Sequence, residues 1–146
     1  MMKNDEYFTE VLLVSDYCSI IEKILNKHRT LSVVKTLLFS YLLHSNDKYY
    51  KKLYNSNTKD KILLKAISQI SGRYDDFCNN MSYIIEAIHL LIKCNKIQLI
   101  DSNLVINNEQ NNIGYVDIDN KFIDDSIKNS LNISDRQILK EIINNV

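Results

Sequence analysis

The sequence predicts a mainly α fold of the α+β kind, and three observations carry that prediction. Phe77, Met81, Ile84, Ile88 and Leu91 recur at alternating steps of four and three, thickened by Ile85 and Ile92. That is the apolar stripe of an amphipathic helix. The period then changes at once: Ile97, Leu99 and Ile100 precede Asp101-Ser102-Asn103, and Leu104, Val105 and Ile106 follow. Two short apolar runs around a polar turn read as a β-hairpin. Finally, the chain has no proline and two glycines, Gly72 and Gly114. With so few breakers, helix ends fall to Asn, Ser, Thr and Asp. A long helix that runs straight into a hairpin is the end of a winged-helix unit. The expectation is therefore one domain over 1–146, with a winged-helix-like core at about 31–118. The hairpin is its small wing, and extra N- and C-terminal helices flank it at about 5–27 and 121–145.

In chain order, the first helix is expected over 5–27. Phe8, Val11, Leu12, Ser15, Cys18, Ile21 and Ile24 or Leu25 lie along one side, and Asn4 or Asp5 caps the start. His28, Arg29 and Thr30 make the break. A second helix, about 32–44, is apolar nearly all round: Val33, Val34, Leu37, Leu38, Phe39, Tyr41, Leu42 and Leu43. Such a helix is buried on most faces or presents one face to a partner. Thr58 caps a third helix over about 59–71, with Ile62, Leu63, Ala66, Ile67 and Ile70 inward and Gly72 as a left-handed stop. The main helix, about 76–95, and the hairpin, about 97–106, come next. After the polar connector 107–112, residues 114–118 can add a third strand. Two helical stripes close the chain, Phe122, Ile123 and Ile127, then Ile138, Leu139, Ile142 and Ile143.

Composition excludes several function classes. Lysine plus arginine and aspartate plus glutamate are 18 each, so the chain does not coat nucleic acid by net charge. Cys18, Cys78 and Cys94 share no metal-type spacing, and an odd count argues against a closed disulfide framework. They are expected to be buried thiols in a reducing compartment. No run approaches the ~20 apolar residues that cross a bilayer, and acids interrupt the N-terminal apolar stretch. A cytoplasmic protein without membrane contact is expected. The two glycines leave no phosphate-cradling loop, and no GxSxG elbow exists. Glu86 and His89 share a helix face at ExxH spacing, but neighbouring helices offer no further acids for a metal. Asp75-Asp76 reads as favourable charge at a helix N-terminus. No catalytic residue, cofactor, metal or small-molecule substrate is expected, and an enzyme or toxin is disfavoured.

The best candidate contact surface is the stretch Lys48, Tyr49, Tyr50, Lys51, Lys52 and Tyr54. Tyrosines anchor protein interfaces or stack on bases, and lysines meet acidic surfaces or phosphates. The plainer alternative is a solvated loop with one or two tyrosines in the core. For nucleic acid, Lys59, Lys61 and Lys65 on the third helix are the candidate contacts. The acidic-to-neutral turn at Asp101 suits phosphate poorly.

The order of these features resembles the small middle component of three-component ABC systems, the class that includes the Lamassu anti-phage defence operons. The resemblance rests on LLFSYLLH at 37–44, Thr58 before the third helix, Arg73 and Phe77, EAIHLLIKCNKIQL at 86–99, and Leu104-Val105-Ile106. It covers about 5–107. The chain departs from that family in lacking a proline in the apolar helix, and in having Asn79 and Asn80 where a basic residue is common. The resemblance implies a subunit without activity of its own, bridging an SMC-like ABC ATPase and an effector protein, often a nuclease. DNA would be met only indirectly, through the complex. The alternative is a DNA-binding winged-helix transcriptional regulator.

Overall fold

The computed structural model describes residues 2–45, 62–107 and 120–144. Along them run α1 (Met2–His28), β1 (Thr30–Ser32), α2 (Val33–Ser45), α3 (Ile62–Ser68), α4 (Tyr74–Lys93), β2 (Ile97–Ile100), β3 (Asn103–Ile106), α5 (Lys121–Ser130) and α6 (Asp135–Asn144). The architecture is mainly helical with one small antiparallel sheet, ordered β1-β3-β2.

The sheet departs from expectation at one strand. The hairpin forms where its pattern placed it, with Ile97 opposite Ile106 and Leu99 opposite Leu104. Asp101 takes φ +55° in its two-residue turn. The third strand, however, comes from Thr30–Ser32, where the break at Thr30 and the start of the second helix at about Ser32 were expected. Leu31 pairs with Leu104, and Ser32 with Asn103. Three residues are too few to show a period, so this strand is defined by its partner. Residues 114–118 lie outside the described residues.

Two helix ends supply the left-handed residues that glycine usually provides. Asn95 (φ +60°) follows α4, with its N–H on the Ile92 carbonyl and that of Lys96 on the Leu91 carbonyl. This is a Schellman stop. Arg29 (φ +71°) turns the chain out of α1 into β1. Gly72 (φ +80°) sits at the expected stop after the third helical region. There α3 ends at Ser68 and turns carry the chain onward, earlier than the predicted end at 71, while Thr58 and residues 59–61 lie outside the described residues. Side-chain caps come from Ser32, Asn120 and Ser134, which accept from the backbone N–H groups of Lys35, Ile123 and Gln137.

The central helix is α2, which touches α1, α4, α5 and α6. None of its residues is exposed. The expectation of burial on most faces holds, with Val33, Val34, Leu37, Leu43, His44 and Ser45 half-buried. On α4 the stripe Phe77, Ile84, Ile88 and Leu91 is buried as predicted, whereas Ile85 is exposed. On α3, Leu63, Ala66 and Ile67 point inward as predicted, followed by Ile70 in the turn. Phe122, Ile123, Ile127, Ile138 and Ile142 close the core from α5 and α6.

The expected stripe of α1 needs a larger correction. The buried residues are Val14, Tyr17, Ile21, Ile24 and Leu25. Ile21, Ile24 and Leu25 are as predicted, but at two positions the core face is shifted by one residue: Val14 and Tyr17 are buried where Ser15, exposed, and Cys18, half-buried, were expected. Tyr17 is held at that shifted face: its hydroxyl donates to Asn80 Oδ1 at 2.8 Å, and its ring lies 4.7 Å from that of His44. Phe8, Val11 and Leu12, placed in the core by periodicity, are exposed.

Candidate functional site

One side of α1, from Tyr7 to Glu22, and the C-terminal half of α4 enclose a groove of about 430 Å³. Three polar contacts join α1 to α4 and to the turn that follows it. The Tyr83 hydroxyl donates to Glu10 Oε1 at 3.4 Å, the Cys18 thiol to the Ala87 carbonyl at 3.7 Å, and Lys96 Nζ to Glu22 Oε1 at 3.0 Å. The groove exists because both helices carry apolar residues beyond the line where they touch. Val11 and Val14 supply one wall, Leu90 and Leu91 the other. Val14 and Leu91 are buried, while Val11 and Leu90 are 48% and 43% exposed. Small side chains, Ser15 and Cys18, leave the space between them.

The rim is acidic. Glu10, Glu22 and Glu86 line it together with Lys96. The ammonium of Lys96 is held above its ordinary range by its hydrogen bond to Glu22 and by that carboxylate's charge. Burial, with Glu22 beside it, pushes the Cys18 thiol up against the opposing pull of Lys96. A thiol held protonated is a poor nucleophile and a poor metal ligand.

A second polar cluster joins α1 to α5. Asp124 is buried, 4% exposed, and meets Lys27 at 2.8 Å, His28 Nε2 at 2.8 Å and Lys128 at 3.5 Å. Burial alone would raise its carboxyl. The hydrogen bonds from Lys27 and His28, and their charges, outweigh that and hold it below the usual range. This cluster is a structural tie between distant segments. A third network runs through Asp76, which stands in the first turn of α4 as its sequence position predicted. Asp76 Oδ2 accepts from Tyr41 at 2.6 Å, and Asn80 donates to the Asp76 carbonyl at 2.8 Å.

Most of the predicted contact residues, Lys48, Tyr49, Tyr50, Lys51, Lys52, Tyr54, Lys59 and Lys61, lie outside the described residues. Lys65 is half-buried on α3. Glu86 and His89 are both exposed on α4. Among the described residues no group of three or more His, Cys, Asp or Glu side chains converges as a metal site. No helix among them is long and apolar enough to cross a membrane. The cysteines correct the sequence reading: all three are free, but Cys78 and Cys94 are exposed and Cys18 is half-buried. Cys78 lies off the buried stripe of α4, and Cys94 forms its C-terminal cap, so neither reaches the core. The groove itself escaped the sequence reading. Of the apolar run Phe8, Val11 and Leu12, which the helical period assigns to the interior, Val11 lines the groove.

No protein-family model matches the chain, no curated protein matches it, and no solved structure matches it. The class of molecule therefore rests on the site: an apolar groove with an acidic rim between two helices.

Proposed function

We propose that the chain is a non-catalytic accessory subunit that bridges an SMC-like ABC ATPase and an effector, often a nuclease, in a bacterial anti-phage defence complex. The α1–α4 groove is the observation that carries this reading. Its exposed apolar walls suit a docking partner, as contiguous apolar surface on a small protein commonly does. Of its two cysteines, Cys18 is the one whose thiol burial and Glu22 hold protonated. The winged-helix-like reading of the core draws support from the strand order β1-β3-β2 and from α4 running directly into the β2–β3 hairpin. Asp101 at the hairpin turn and the acidic rim disfavour direct contact with phosphates, so the regulator reading stands second. The 48–54 stretch adds a second contact surface on sequence grounds alone.

Co-expression with the ATPase and effector tests the proposal. All three should co-purify, and Val11→Asp combined with Leu90→Asp should release this chain. Tyr50→Ala with Tyr54→Ala probes the second surface in the same assay. A shift of short duplex DNA by the chain alone, with no complex recovered, would favour the regulator.

A further inference from the structure

We infer that the α1–α4 groove receives an amphipathic helix whose apolar stripe is flanked by lysine or arginine. The inference rests on the accessory-subunit reading and names the chemistry of the partner at that site.

Shape supplies the first argument. The groove wall on α1 runs from Tyr7 to Glu22, about 22 Å at roughly 1.5 Å per residue. A helix of about four turns matches that length. Val14 and Leu91 form its buried apolar floor, Val11 and Leu90 its exposed apolar edges, and Ser15 and Cys18 are gaps for incoming side chains. Helix-in-groove recognition works in this way, by seating anchors spaced three and four residues apart.

Charge selects the occupant. The lining holds three carboxylates and one ammonium, and that ammonium is already engaged by Glu22 at 3.0 Å. Glu10 meets only the neutral hydroxyl of Tyr83 among the contacts described at the groove. Glu86 is exposed on the facing helix. The rim therefore offers carboxylates on both sides of an apolar floor. A second copy laid groove to groove would set these acids against their equivalents, which is unfavourable. Anionic lipid and nucleic acid would be repelled for the same reason. Basic residues along both edges of an apolar helical stripe satisfy the rim and the floor together.

The test uses two fluorescein-labelled peptides of about 15 residues, the length set by the groove. Both carry leucines at helical spacing; one has lysine and the other glutamate at every remaining position. Fluorescence anisotropy with the full chain should give about tenfold or tighter binding of the lysine peptide. That preference should shrink as salt rises. Glu10→Gln with Glu86→Gln should erase the preference, and Glu10→Lys with Glu86→Lys should reverse it. Val11→Asp should weaken both peptides, with the melting temperature of the free chain unchanged. Equal binding of the two peptides, no binding of either, or a preference indifferent to Glu10 and Glu86 would overturn the inference. So would sedimentation showing a dimer that Val11→Asp dissociates, since a second copy would then be the occupant. If these peptides fail while the three-component complex still co-purifies, the basic-helix inference falls and the accessory reading stands. If the peptides behave as expected and no complex forms, the accessory reading falls instead.

Discussion

The two halves of α1 are made of similar residues and live in opposite surroundings. Between Val14 and Leu25 the helix buries Val14, Tyr17, Ile21, Ile24 and Leu25. Between Asn4 and Leu12 every residue is exposed, including Tyr7 at 69% and Phe8 at 63%. The inner half is a core element, in which each aliphatic side chain contributes roughly 1.5–3 kcal/mol relative to exposure. The outer half offers similar chemistry to whatever docks there. The contrast is one of coverage. Tyr83 of α4 still reaches Glu10 in the outer half, but no described element buries an apolar side chain between Asn4 and Leu12.

The sharpest way to break this contrast is to place the same charge in each half. Ile21→Asp puts a carboxylate at a position with no solvent access, and about 4 kcal/mol or more of stability should be lost. Val11→Asp, in the open half, should change stability by no more than about 0.5 kcal/mol. Urea unfolding of the two variants reads the difference. Equal losses would mean that the outer half is packed in solution.

The anchorage of the inner half gives a smaller effect. Asp124 ties the C-terminal end of α1 to α5 through Lys27 and His28. Asp124→Ala should cost about 2–3 kcal/mol, less than for a fully enclosed pair because Lys27 is partly exposed. The folded-state pKa of Asp124 is lowered. Its contribution is therefore complete above the unfolded value of about 3.9, and is lost as pH falls through the lower folded value. Thermal melts at descending pH should show a steeper acid loss for the wild type than for Asp124→Asn. A parallel loss in both would mean that other carboxylates control the acid limb.

The smallest effect concerns the shifted core face of the inner half. Tyr17→Phe keeps the buried ring and removes the bond to Asn80. It should cost about 1 kcal/mol by chemical denaturation. The Tyr17 hydroxyl is held protonated well above its ordinary range, first by burial and then by Tyr41 and Asp76. A loss several times larger would show that the hydroxyl sets the phase of α1 and does not merely follow the packing of the ring.

The sequence by itself determined what short-range chemistry fixes. Alternating steps of four and three made α4 a helix, and the change of period after Asn95 made the hairpin. Gly72 marked a left-handed stop, and the uninterrupted apolar surface of α2 marked the centre of the core. These features depend on residues within a few positions of one another, so a local pattern suffices to read them. Only the tertiary structure decided which distant segments meet. Thr30–Ser32 becomes a strand because β3 offers it an edge. Asp124 is buried with charge because Lys27 and His28 arrive from the far end of the chain. Val11 faces the groove while Ile21 faces the core, although both lie on apolar stretches of one helix. An apolar stripe records that a face can be covered. The path of the neighbouring elements determines how much of it this chain covers itself, and a helical period carries no information about that path.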